Sequence, residues 1–326
     1  MRRRESLLAL LALAIAPLVA AAQPVPTPPR IGVLLPGSGP AGGPLLDAMR
    51  EGLRRRGYSE TQGTIKYEYR FADGHLERLE PLAQELVRAK VDLIFAGGDQ
   101  IISAAKRATS TVPIVMVACD AVAAGLVTNL ARPGGNLTGV TCINSDLAAK
   151  RLEILRELLP GLARVGVILN PGDGRMRAEL QETEKAGGRL QIAVRPVPLA
   201  RLADFGPAFD AAVTERTQAL VVAFDVLTFM NRGRLAEVAT AHRLATIHNF
   251  SEYVDAGALL SYGPNLAAMW ASATAHVEKI LKGAKPGDLP IEQPTKFELV
   301  INLKTAKALG ITIPQSILLR ADRVIE

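Results

Sequence analysis

Asp99, Asp120 and Asp225 each follow an apolar run of the kind that forms a buried strand. A carboxylate there either caps the helix that comes next or meets a cationic group of a ligand held at the strand ends. Both readings stay open, with Asp225 the first candidate for ligand contact. The run Gly37-Ser38-Gly39-Pro40-Ala41-Gly42 spells the G-x-G-x-x-G of a dinucleotide turn. Pro36 and Pro40 stiffen it, and no acidic residue ends the second strand at the expected distance of about 20; Asp73 lies 31 past Gly42. The loop reads instead as part of a cleft, with amides suited to an anion, and no cofactor is implied. His75, His242, His248 and His276 lack metal-ligand spacing, Cys119 and Cys142 belong to no C-x-x-C pair, and no G-x-S-x-G turn occurs. Metal binding and nucleophilic catalysis therefore have no local support, and no catalytic residue is assigned.

These residues need strands and helices to place them. From residue 30 onward, β-branched runs (31–35, 65–71, 91–96, 113–118, 137–141) alternate with helical stripes such as Leu45, Ala48, Met49 and Leu53. That rhythm predicts parallel strands covered by helices on both faces. RIGVLLPG at 30–37 then returns as RVGVILNPG at 164–172, 134 residues on, followed by strands at 191–197, 219–223 and 245–248. The matched order predicts a duplicated unit, hence two doubly wound α/β lobes. The carboxyl ends of their strands carry Ser38, Gly98, Asp99, Gln100, Asp120, Asn144, Asn170, Asp225 and Asn249. Such small and polar residues gathered at one rim predict a ligand cleft between the lobes. Tyr262 and Phe250 offer it a flat wall, or belong to the core.

The chain has 326 residues, of which 48% are hydrophobic, 21% charged and 4% aromatic. It suits two folded domains and neither a disordered nor a collagen-like protein. Arg2, Arg3 and Arg4, an apolar stretch at 7–22 broken by Pro17, and Ala20-Ala21-Ala22 form the pattern of an export signal at 1–22. The stretch is too short to span a bilayer, and no Cys stands at the cut for a lipid anchor. QPVPTPP at 23–29 reads as a stiff lead-in. The net charge of +6 falls to +4 once Arg2–Arg4 and Glu5 leave with the signal. Arg54-Arg55-Arg56 suits a helix C-terminus, and without interleaved aromatics it predicts no nucleic-acid partner. In an oxidising compartment Cys119 and Cys142 form a bridge if their strands are neighbours, or remain two small buried thiols.

Three passages carry a resemblance: LVTNLARPGGNLTGV at 126–140, AKRLEILRELLP at 149–160 and DLPIEQPTKFELVINLKTAKALGITIPQSILLRADRVIE at 288–326. The chain from 30 to 326 resembles the ABC transporter substrate-binding proteins of the tryptophan/tyrosine uptake type. The resemblance implies a type I periplasmic binding protein fold, with two lobes joined by three crossovers near 141–144, Tyr262 and Glu292. Lobe one would hold 30–142 and 263–291, lobe two 143–262 and 292–326, with the helix at 266–281 covering lobe one. It also implies a periplasmic monomer that binds a small polar metabolite, an amino acid or an aromatic or heteroaromatic compound, and delivers it to an inner-membrane permease with its ATPase subunit. Asp99-Gln100 and Cys119-Asp120-Ala121 depart from the pattern of many relatives, and an added rim carboxylate favours a cationic group on the ligand. A ligand-sensing subunit for a membrane receptor and an exported α/β enzyme are the alternatives.

Overall fold

The computed structural model describes residues 27–39 and 43–326. The signal at 1–22, the first part of the lead-in and Gly42 lie outside the described residues. β1 (Arg30–Leu35), β2 (Lys66–Phe71), β3 (Leu93–Gly97), β4 (Ile114–Cys119) and β5 (Leu137–Cys142) form a parallel sheet in the order β2-β1-β3-β4-β5. β6 (Arg164–Leu169), β7 (Ala193–Pro198), β8 (Ala219–Val222), β9 (Ala245–His248), β10 (Leu260–Pro264), β11 (Phe297–Asn302) and β12 (Arg323–Ile325) form the other. Its order is β12-β11-β10-β9-β8-β6-β7, so β7-β6-β8-β9-β10 repeats the first sheet strand for strand. The duplication is thus one of topology as well as sequence, and the two lobes are α/β as expected. β11 adds an antiparallel strand beside β10, and β12 extends it in parallel.

Apolar runs fill the middle of each sheet, where helices cover both faces: β4, β5 and β8 are buried along their whole length. The edges depart from the all-apolar expectation. β2 alternates, with Tyr67, Tyr69 and Phe71 in one row of ring contacts at 5.5 and 6.0 Å. Its opposite row pairs Glu68 with Arg30 and Arg70 with Glu85. An edge strand has only one fully covered side, so a period of two replaces the continuous apolar run.

The helix Gly43–Arg54 buries Leu46, Met49, Gly52 and Leu53 against the helix Leu266–Leu281. A Cβ on Gly52 would lie 2.7 Å from Thr274 Oγ1 and 2.9 Å from the Ala271 carbonyl; glycine is what lets the two helices approach. Arg54 and Arg55 ion-pair with Glu51 one turn back, and Gly57, at φ +85°, ends the segment. Asn265 caps Leu266–Leu281 by accepting from the Ala268 amide.

That helix follows β10 of the second sheet yet packs on the first lobe, also touching β4 and β5. The chain therefore passes between the lobes after β5, after β10 and before β11. Before the last passage it runs beside β5, where Glu292 donates to the Gly139 carbonyl and accepts from the Thr141 amide, both at 2.9 Å. β10 stays paired with β11 as far as Pro264. Cys119 and Cys142 lie directly opposite each other in the β4–β5 register and are joined by a disulfide. The bridge closes a loop of 23 residues in sequence separation. Replacing both cysteines with serine is expected to lower unfolding free energy by about 3 kcal/mol, read as a lower denaturant midpoint with an unchanged far-UV spectrum.

Candidate functional site

The carboxyl ends of β1, β3 and β4 face those of β8 and β9 across a cavity of about 780 Å³ lined by both lobes. One wall belongs to the first lobe: Pro36, Gly37, Ser38, Gly97, Gly98, Phe71 and Trp270. Trp270, the only tryptophan, comes from the helix Leu266–Leu281 and packs its ring on Phe95 at 5.2 Å. A Cβ on Gly97 would sit 2.3 Å from Trp270 Cζ2, so the bare β3 terminus is what allows the indole to lie there.

The opposite wall is a cluster of rings from the second lobe. Phe224 meets Phe250 edge to face at 5.0 Å and Phe229 at 5.7 Å, and Phe229 meets Tyr253 at 5.7 Å. Five cavity-lining side chains are aromatic in a chain whose aromatic content is 4%. That concentration suits a planar apolar ligand group sandwiched between the lobes.

Three charged side chains also line the cavity. Asp255 is held bidentately by Arg323 at 2.6 and 3.1 Å. Arg232 donates to the Phe229 carbonyl and lies over the Phe229 ring, 4.9 Å from its centroid. Glu252 has a buried Oε2 that accepts no hydrogen bond from any described residue. Burial pushes its carboxyl up to about 7; a hydrogen bond from its own backbone amide opposes the rise, Glu298 and Asp255 add to it, and Arg232 opposes it weakly.

The residues named from sequence divide into three groups. Ser38 and Gly98 line this cavity. Asp99, Gln100 and Asn170 line a second crevice between the lobes, of about 450 Å³. Beside it the Gln100 side-chain amide reaches Asp225 Oδ2 at 3.5 Å, from one lobe to the other. Asp225 itself accepts from the Leu227 and Thr228 amides at 2.6 and 3.3 Å, which is the capping role. Asp120 lines neither opening; it accepts from the Asn144 amide and the Ser145 hydroxyl at 3.2 and 3.0 Å, tying β4 to the first passage. Burial raises its carboxyl above the usual range.

Asn144, Asn249 and Tyr262 converge on a residue the sequence reading passed over. Arg151, on the helix Ala148–Leu158, has a side chain with 0% exposure. It donates to Glu179 Oε1 at 2.9 Å, to the Asn144 carbonyl and Oδ1 at 3.2 Å, and to the Tyr262 carbonyl at 2.9 Å. The Asn249 amide turns its nitrogen to the Val222 carbonyl at 2.7 Å and its oxygen to the guanidinium at 3.1 Å. Tyr262 packs in the second lobe's core, 6.4 Å from Phe297, and is not part of the cavity wall. Phe250 is. The signal that would have found Arg151 is a charge on the buried stripe Ala148, Leu152, Leu155 and Leu158. Glu252 and Trp270 carried no such local mark.

Two α/β lobes, three passages between them and a ring-lined cavity at facing strand ends define a bilobal solute-binding protein. The match to the family model "ABC transporter substrate binding protein" runs over residues 30–325. The chain belongs to that family, whose members work outside the cytoplasm and bind a solute without transforming it. A tyrosine-binding protein of Clostridioides difficile is 28% identical over 275 residues, covering 82% of this chain and 78% of the relative. A Streptococcus pneumonia ABC domain in complex with L-Trp superposes with TM-score 0.84 at 24% identity, covering 91% of this chain and 100% of that one. The ligand-free, open structure of a substrate binding protein with adhesive properties from Clostridium difficile gives 0.67 at 24% identity, over 91% and 99%. Among the described residues no helix is long and apolar enough to cross a membrane.

Two stability measurements test this layout. Glu179→Ala leaves Arg151 as a buried, unpaired charge, and an equilibrium denaturant melt is expected to show a loss of about 3–5 kcal/mol. His248 is buried with its ring stacked on Tyr253 at 4.4 Å, and desolvation, helped by Arg151, lowers its imidazole from 6.5 to about 3. The unfolded chain takes up this proton below pH 6.5 and the folded one does not. Unfolding free energy should therefore fall as pH drops from 6.5 toward 3, at up to about 1.4 kcal/mol per unit from this residue. His248→Phe should flatten that part of the curve.

Proposed function

We propose that this protein is the exported solute-binding component of an ABC importer and that its ligand is an aromatic amino acid. The observation that carries the reading is the cavity between the lobes, walled by Phe71 and Trp270 on one side and Phe224, Phe229 and Phe250 on the other. A tyrosine-binding relative and a neighbour solved with L-Trp support the ligand class. Closure is a hinge motion in which ligand bridges the lobes and favours the closed state.

The lobes here already meet. A Cβ on Gly98 would be 3.3 Å from Val226, and Gln100 reaches Asp225 across the gap. The overall arrangement follows the L-Trp complex, at 0.84, more closely than the open structure, at 0.67. In this reading Ser38 and Gly98 touch the ligand. Asp99, Gln100, Asn170 and Asp225 serve the contact between lobes, while Asp120, Asn144, Asn249 and Tyr262 hold the passages. Lobe one comprises 30–142 and the later segment beginning near 263, lobe two 143 to about 262 and the C-terminal segment, with the seams drawn at Pro264, where β10 ends, and at Glu292, which still pairs with β5. The signal at 1–22 sends the protein to the periplasm, and as a monomer it delivers its ligand to a permease and ATPase.

The test is calorimetric titration with L-tryptophan, L-tyrosine and L-phenylalanine, with L-leucine and ribose as controls, followed in parallel by Trp270 fluorescence. One site per chain for an aromatic amino acid, an indole emission change and roughly 2.7 kcal/mol of added stability at 100 times Kd are expected. Binding of ribose with no response to the aromatic amino acids would contradict the reading.

A further inference from the structure

Resting on the aromatic amino acid reading, we propose that Glu252 is the group that receives the ligand's ammonium and so selects amino acids over deaminated ring acids. Glu252 lines the cavity beside Phe250. Its Oε2 is buried and accepts from no described residue, although a buried carboxylate oxygen without a donor is costly. An ammonium supplies both missing elements, a hydrogen-bond donor and a compensating positive charge.

The neighbouring charges narrow the choice to this residue. Glu252 is faced by Arg232, by Glu298 of β11 and by Asp255 of its own short helix. Asp255 is already neutralised by Arg323. Glu298 Oε2 accepts from the Asn265 amide at 3.1 Å and its Oε1 is buried without a partner among the described residues as well, but Glu298 does not line the cavity, whereas Glu252 does. Asp225, the carboxylate favoured from sequence, spends Oδ1 on its helix cap and points Oδ2 at Gln100. Arg232 spends one nitrogen on the Phe229 carbonyl and adds a positive charge to the same cavity, where a ligand carboxylate finds its partner. The ring then lies among Phe224, Phe250 and Trp270 with its amino acid head toward Glu252.

A pH dependence follows. In the unliganded protein the Glu252 carboxyl sits at about 7, so below that pH it is largely protonated and has no charge to offer an ammonium. Binding must release that proton, and affinity should rise with pH up to about 7 and level off above it.

The experiment is a calorimetric comparison of L-tryptophan, tryptamine and indole-3-propionate on the wild-type protein and on Glu252→Gln, at several pH values, with a thermal melt to confirm that the variant folds. The wild type is expected to bind indole-3-propionate about 10- to 100-fold more weakly than L-tryptophan, the weight of a hydrogen bond to a charged group. In Glu252→Gln that gap should shrink and the pH dependence for L-tryptophan should flatten. Glu252→Asp, a shorter carboxylate, should retain part of the gap. A gap and pH profile unchanged in Glu252→Gln would overturn the assignment while leaving the cavity reading in place. A wild-type protein that binds none of the three compounds would overturn the aromatic amino acid reading and this inference with it.

Discussion

A guanidinium with no exposed surface must have its charge and its donors met inside the protein, and Arg151 is met by groups from four parts of the chain. Asn144 comes from the first passage, Tyr262 from β10 just before the second, Glu179 from the helix Gly174–Leu190 and Asn249 from the end of β9. None of these segments can shift without unpairing a buried charge. The second lobe therefore presents a fixed frame on the side where the chain crosses, and Phe250, next to Asn249, is set by that frame at the cavity wall. The Cys119–Cys142 bridge does the corresponding work in the first lobe, fastening β4 to β5 where the chain departs. In the proposed closure, motion falls to the short connections between the lobes.

The cavity combines a large, unselective contribution with a small, selective one. Burying an aromatic side chain of 150–250 Å² contributes roughly 4–6 kcal/mol before the entropy of association is subtracted. A single charge-assisted hydrogen bond contributes about 1.5–3 kcal/mol. For the proposed aromatic amino acid, ring burial would thus supply most of the affinity and be tolerant of which ring it is. Discrimination between an amino acid and a ring of similar shape falls to the few polar groups, because leaving one of them desolvated and unmatched is what excludes the wrong ligand. Glu252 and Arg232 are the charged groups so placed, since Asp255 is occupied by Arg323.

The βαβ order was legible because the central strands are buried on both faces and read as continuous apolar runs. The repeat of RIGVLLPG as RVGVILNPG was legible because β1 and β6 occupy the same place in matching sheets. β11 and β12 were not read as strands, since a short antiparallel addition at a sheet edge leaves no βαβ rhythm. Polar residues were correctly expected at strand ends, but local sequence does not say which way a side chain turns there. Asn144 and Asn249 turn to Arg151, and Asp225 turns to its own helix. The side chains that shape the cavity stand elsewhere: Trp270 on a helix that returns from the other lobe, and Glu252 on a short helix behind Phe250. Both positions depend on contacts between residues far apart in the chain, which no local pattern encodes.

The most direct test of the account is a crystal structure of the protein grown with saturating L-tryptophan. One ligand is expected between the lobes, its indole against Phe224, Phe250 and Trp270 and its amino group within hydrogen-bonding distance of Glu252. An L-tryptophan lodged in the second crevice beside Asp99 and Asn170, or on the outer surface with the cavity unfilled, would contradict it.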